Sequence, residues 1–116
     1  MNRKISFRVW DEFNECFWYS DKYKNLAKFF TSMQVLVDGG NKLIFQQFTG
    51  LLDKNGREIY EGDIVRNIWS DHQGTNDIKQ EVKWNNGYYF RDSGAHTSNQ
   101  TIEVIGNTFE NPELLK

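Results

Sequence analysis

The sequence predicts an α+β fold, an N-terminal β-hairpin and one short helix followed by a run of short strands. Three observations predict it. Apolar residues near the start alternate with period two. They change to a helical period over one stretch only, and beyond it turn chemistry built on Gly, Asp and Asn separates β-prone runs. A length of 116 residues fits one domain and leaves no room for two independent cores. Nine Phe, five Tyr and four Trp supply the packing mass, since each buried ring removes roughly 150–250 Å² from water.

The first element lies in "KISFRVWDEFNECFWYS". Ile5, Phe7 and Val9 fall on one face of a strand, with Lys4, Ser6 and Arg8 on the other. A turn near Asp11–Asn14 then returns the chain into the β-prone run "CFWY". In "SDKYKNLAKFFTSM" the residues Tyr23, Leu26, Ala27, Phe30 and Met33 follow helical spacing, with Lys24 and Lys28 opposite. Ser20 is the expected N-cap, and Asp21 suits the positive end of the helix dipole. "QVLVDGGNKLIFQQFTG" reads as two β-prone runs around an Asp38–Asn41 turn.

Asp53-Lys54-Asn55-Gly56 matches a type I turn, with Asp able to accept a backbone hydrogen bond and Gly easing the exit. Glu61-Gly62-Asp63 is a second reversal, and "DIVRNIW" begins a strand. In "EVKWNNGYYFR" a three-residue loop sets Trp84 opposite Tyr88 and Val82 opposite Phe90, which keeps one face apolar. "TIEVIGNTF" is the last strand, and in "NPELLK" Asn111 caps a turn that has Pro112 at its first position.

Composition narrows the function. A formal net charge of −2 lacks the cationic excess of duplex-wrapping proteins. A lone Cys16 forbids an intrachain disulfide and points to a reducing compartment. "MNRKISFRVW" has no apolar signal core, and a mean hydropathy of −0.73 describes a polar-skinned chain, so a cytoplasmic location with no membrane partner is expected.

Catalytic motifs are missing: there is no P-loop, G-x-G-x-x-G, H-E-x-x-H or C-x-x-C. His72 and His96 sit in polar stretches and read as exposed histidines, so no metal site is assigned. Ser70-Asp71-His72 has the residue types of a triad, but neighbours in sequence do not converge on one proton path. Cys16 reads as a small buried hydrophobe. Glu58, Glu61 and Asp63 crowd one turn, where the plainer reading is solvated turn carboxylates and the chemical one a hard-cation or acid–base site. Asn99–Thr101 fits a glycosylation acceptor that a cytosolic protein does not use. No catalytic residue and no cofactor are therefore expected.

"FTGLLDKNGREIYEGDIV" and "IEVIGNTFENPELL", with the opening "RKISFRVWDEFNECFW", resemble the YopX family of bacteriophage and prophage proteins. The resemblance implies an α+β N-terminal segment (1–47), a C-terminal SH3-like barrel (48–116) and self-association. It implies no activity and no catalytic residues.

The preferred expectation is thus a non-enzymatic, homo-oligomeric interaction or scaffold module in the cytoplasm of an infected host, with a host or phage protein as a further partner. Trp69 and Tyr89 are the candidate exposed partner-binding aromatics. The alternative is a nucleic-acid-binding accessory factor that uses a basic patch of Arg3, Lys4, Arg8, Lys22, Lys24 and Lys28. The least favoured is a metal-dependent enzyme built on the carboxylates of the central turn.

Overall fold

The computed structural model describes residues 4–83 and 100–115. Among the described residues the chain is mostly β with one α-helix, and it divides into two compact units, Met1–Phe48 and Thr49–Lys116, each with its own core where the length predicts only one.

In the first unit, β1 (Phe7–Asp11) and β2 (Cys16–Tyr19) form the expected hairpin. The first half of β3 (Leu43–Leu52) adds antiparallel to the other side of β1, setting Val9 opposite Phe45. One face of this sheet carries α1 (Leu26–Asp38). The core is Val9, Phe29 and Met33, with Phe7, Trp18, Tyr23, Leu36 and Leu43 packed around it. Ser6 and Arg8, read as the polar face of β1, are buried as well.

The helix differs from its expected course at both ends and in its face. Ser20 does not cap it. Its hydroxyl accepts from Phe7 N at 2.9 Å and lies 3.2 Å from Ser6 Oγ, inside a 3₁₀ turn over Ser20–Lys22. Asn25 is the cap, and its Oδ1 accepts from Lys28 N at 2.9 Å. The helix then runs through Val35 and Val37, where the local sequence predicts a strand. It ends on a glycine motif: Gly40 takes φ +97°, its N–H donates to Val37 O, and Asn41 N donates to Leu36 O. The Asp38–Asn41 turn chemistry is real, but it closes a helix. The buried face is Phe29 and Met33, with the partly buried Leu36 beside the same core, which leaves Ala27 and Phe30 exposed.

Asp11 locks the hairpin. It is fully buried, and its carboxylate accepts from Phe13 N, Asn14 N, Asn14 Nδ2, Trp18 Nε1 and Asn41 Nδ2. Burial alone would raise its pKa, but the side-chain donors of Asn14, Trp18 and Asn41, with Asn14 N–H, outweigh it and hold the group at about 2.

The second unit is built on β5 (Asp63–Asp71), which pairs antiparallel with β6 (Gly74–Glu81) and with β7 (Thr101–Asn107). A register shift interrupts the β5–β7 pairing at Ile64/Val65. β4 (Glu58–Tyr60) lies beside β3, where Thr49 Oγ1 donates to Ile59 O. Ile59, Val65, Val82 and Val104 form the core, with Ile102 against it. Asn67 is buried but satisfied, donating to Gln80 Oε1 and accepting from Gln100 Nε2.

The central turns form as the sequence predicts. Asp53 Oδ1 accepts from Asn55 N and Arg57 N, Gly56 N donates to Asp53 O, and Gly56 takes φ +80°. Asp53 Oδ2 reaches Val104 N at 3.0 Å and so ties the turn to β7. The chain ends in a 3₁₀ turn over Pro112–Leu115. The expected Trp84–Tyr88 register lies outside the described residues, as do Arg3, Tyr89 and His96.

Candidate functional site

The carboxylates of the central reversal are occupied by structure. Asp63 is buried and accepts from the N–H of Tyr60, three residues before it, at 2.8 Å, which ties the chain together across the Gly62 turn. Glu58 accepts from Tyr60 Oη at 3.2 Å. Among the described residues no group of three or more His, Cys, Asp or Glu is arranged to hold a metal ion. Asp71 accepts from Gln73 N and Asn76 Nδ2, while Ser70 Oγ lies 3.3 Å from Thr75 Oγ1, so the side chains of Ser70 and Asp71 serve the β5–β6 turn around His72. The Cys16 thiol is pushed above its usual pKa by burial and then by the charge of Asp11, away from the thiolate a nucleophile needs.

Two expectations about exposure are corrected. Trp69 retains only 5% of its surface, because in β5 it shares the inward parity of Val65 and Asn67. Arg8 retains 4%. Its guanidinium lies 4.4 Å above the Phe17 ring and its Nε donates to Gln46 Oε1 at 2.8 Å, so it contributes no exposed charge to a basic patch. Lys4 is exposed but pairs with Asp21 at 2.8 Å, and Lys22, Lys24 and Lys28 are exposed.

The structure instead brings together an apolar surface that the sequence reading missed. Once Phe29 and Met33 turn inward, Phe30 lies on the rim of α1, where its ring stacks on Phe45 of β3 with centroids 6.0 Å apart. Phe7 meets Phe30 edge-on at 5.6 Å. Phe30 and Phe45 keep 42% and 46% of their surface exposed, and Val37, seven residues along the helix and so on the same stripe, keeps 45%. Ala27 continues the stripe towards the helix start. Two stacked, half-exposed rings beside an aliphatic helix stripe can exclude water from a partner's apolar face, and they carry no group for acid–base or nucleophilic work. The signal in the sequence was the pair Phe29-Phe30. Only one can face the core, and spacing alone does not choose.

A family model described as YopX protein matches residues 6–116. Among solved structures, a crystal structure of protein EF1440 from Enterococcus faecalis is similar over 99% of this chain and 100% of that one, with a TM-score of 0.57 and 22% identity, a likeness of fold. Comparison with curated proteins finds no match. No helix among the described residues is long and apolar enough to cross a membrane.

Proposed function

The chain belongs to the YopX family, and from that premise we propose that it is a non-enzymatic interaction module that associates with further copies of itself. The observation that carries this reading is the exposed Phe30–Phe45 stack, with the exposed Val37 two turns along the same helix stripe. Apolar surface of this kind is stabilised by removal from water, and in a homo-oligomer the same patch serves both partners about a two-fold axis. Self-association is also what the family resemblance implies. The same resemblance supports a phage origin and action in the host cytoplasm, and the lone Cys16 accords with a reducing compartment. We read the C-terminal unit as an SH3-like barrel, a reading supported by the short antiparallel strands and the irregularity that bends β5 against β7.

Multi-angle light scattering on the intact chain tests the proposal. At micromolar concentration the protein is expected to exceed one chain mass, and Phe45→Glu is expected to shift it to the monomer while circular dichroism stays unchanged. A monomeric wild type overturns the reading, as does an oligomer indifferent to Phe45→Glu.

A further inference from the structure

We infer that the outer face of the β5–β6–β7 sheet docks an acidic–aliphatic peptide segment of a partner protein. The inference rests on the interaction-module reading, yet it uses none of the residues of the Phe30–Phe45 patch. An open cavity of about 770 Å³ lies here, lined by Arg66, Asp77, Lys79, Ile105, Leu114 and Leu115. Its volume suits a few residues of an extended chain.

The register explains how the charges meet. Arg66 stands directly across from Lys79 on β6 and from Glu103 on β7. Asp77, two positions before Lys79, takes a forked pair of bonds from Arg66, Nε to Oδ1 at 3.0 Å and an Nη to Oδ2 at 2.6 Å. That fork uses two of the five guanidinium donors, and the others remain for a second acceptor. Lys79 makes no ion pair among the described residues. The lining carries two cations against one carboxylate, and the neighbouring Glu103 pairs with Lys54 at 3.7 Å, so one positive charge is left over. Ile105, Leu114 and Leu115 form the apolar wall of the cavity. Gly106 lets that wall close. A Cβ there would meet Asn111 Oδ1 at 2.7 Å and Leu114 Cδ1 at 2.8 Å, so the C-terminal turn seats on the strand only because the side chain is absent.

A single carboxylate beside an aliphatic side chain matches this surface. The carboxylate lies against Lys79 and the remaining N–H groups of Arg66, and the aliphatic chain covers Ile105, Leu114 and Leu115. A run of phosphates fits it poorly, because Asp77 and Glu103 stand beside the cations and repel a second negative charge.

The probe is a fluorescein-labelled, amidated peptide carrying a single Asp-Leu-Leu, with an Asn-Leu-Leu peptide of equal length and a single-stranded oligonucleotide for comparison. Anisotropy is measured on the full chain at low salt. The acidic peptide is expected to bind about tenfold more tightly than its amide counterpart, Lys79→Glu to remove that preference, and Lys79→Arg to keep it. Leu115→Ser is expected to weaken both peptides. Equal binding of the two peptides, indifference to Lys79→Glu, no binding at millimolar peptide, or preference for the oligonucleotide overturns the proposal. The Phe45→Glu monomer should bind the peptide as the wild type does, so failure of self-association and failure of peptide docking are read separately.

Discussion

Two reversals, Asp11–Glu15 in the N-terminal unit and Asp53–Arg57 in the C-terminal unit, solve one problem with different materials. Each begins with a buried aspartate whose Oδ1 accepts from the N–H two residues on, Phe13 in one and Asn55 in the other. Each needs a residue in the left-handed region, Glu15 at φ +53° and Gly56 at φ +80°. The difference lies in the second carboxylate oxygen. Oδ2 of Asp11 is held by side chains of Asn14, Trp18 and Asn41, whereas Oδ2 of Asp53 accepts the backbone N–H of Val104. A lock made of side chains depends on the identity of each donor. One made of backbone depends only on the path of the chain.

The largest expected effect breaks the side-chain lock. Asp11→Asn turns one acceptor into a donor facing the donors Trp18 Nε1 and Asn41 Nδ2, at an expected cost of about 3 kcal/mol. Asp53→Asn keeps Oδ1 for Asn55 and Arg57 and loses only the bond from Val104, so it is expected to cost about half as much. Denaturant titration of both variants gives the order, and a reversed order removes the distinction between the locks. The pH dependence adds a sign. The folded pKa of Asp11, about 2, lies below its ordinary value of 3.8. Its contribution is therefore present above pH 3.8 and is lost as the pH falls towards 2, a change of about 2 kcal/mol. Wild type should lose that stability over this window and Asp11→Asn should not. The pKa of Asp53 is also lowered, against its burial, by the N–H groups of Val104, Arg57 and Asn55 and the charge of Arg57, so its acid loss has the same sign.

The second effect tests the seat of the C-terminal turn. Gly106→Ala places a methyl group within 3 Å of Asn111 and Leu114, an overpacking expected to cost about 2 kcal/mol. Because Leu114 and Leu115 form one wall of the outer cavity, the same variant should weaken the acidic and the amide peptide alike. Proteolysis near the C-terminus should quicken as well. Unchanged stability would mean that the turn shifts without loss.

These comparisons also explain what could be read from the sequence. The Asp53–Gly56 turn was legible because its donors lie within four residues, and Asp63 was legible for the same reason. The role of Asp11 was not, since Trp18 and Asn41 are 7 and 30 positions away. The hairpin, the helix and the last strand followed from periodicity. The strand β6 did not, because "GTNDIKQE" carries a single large apolar residue, Ile78, and is β by its pairing with β5. The α1 boundary was missed because Val35 and Val37 favour strands locally, a preference overridden by the packing of the partly buried Leu36 against the core and by the glycine exit at Gly40. The Phe30–Phe45 surface depended on that boundary, so it stayed hidden too.

The smallest effect concerns the one position where the first turn is the less suited of the two. Gly56 enters the left-handed region without a Cβ, and Glu15 enters it with one. For an ordinary side chain this conformation costs about 1–2 kcal/mol. Glycine at position 15 would relieve that strain but widen the unfolded ensemble by nearly as much. Asparagine tolerates the region and keeps most of the entropy advantage. Glu15→Asn is therefore expected to stabilise the protein by about 0.5 kcal/mol, and Glu15→Val, whose branched Cβ resists positive φ, to destabilise it by about 1 kcal/mol. Glu15 is exposed, so neither change disturbs the core, and the difference between them reports backbone strain alone. If both variants match wild type in denaturant titration, the first turn carries no strain at Glu15 and differs from the second only in the partners of its aspartate.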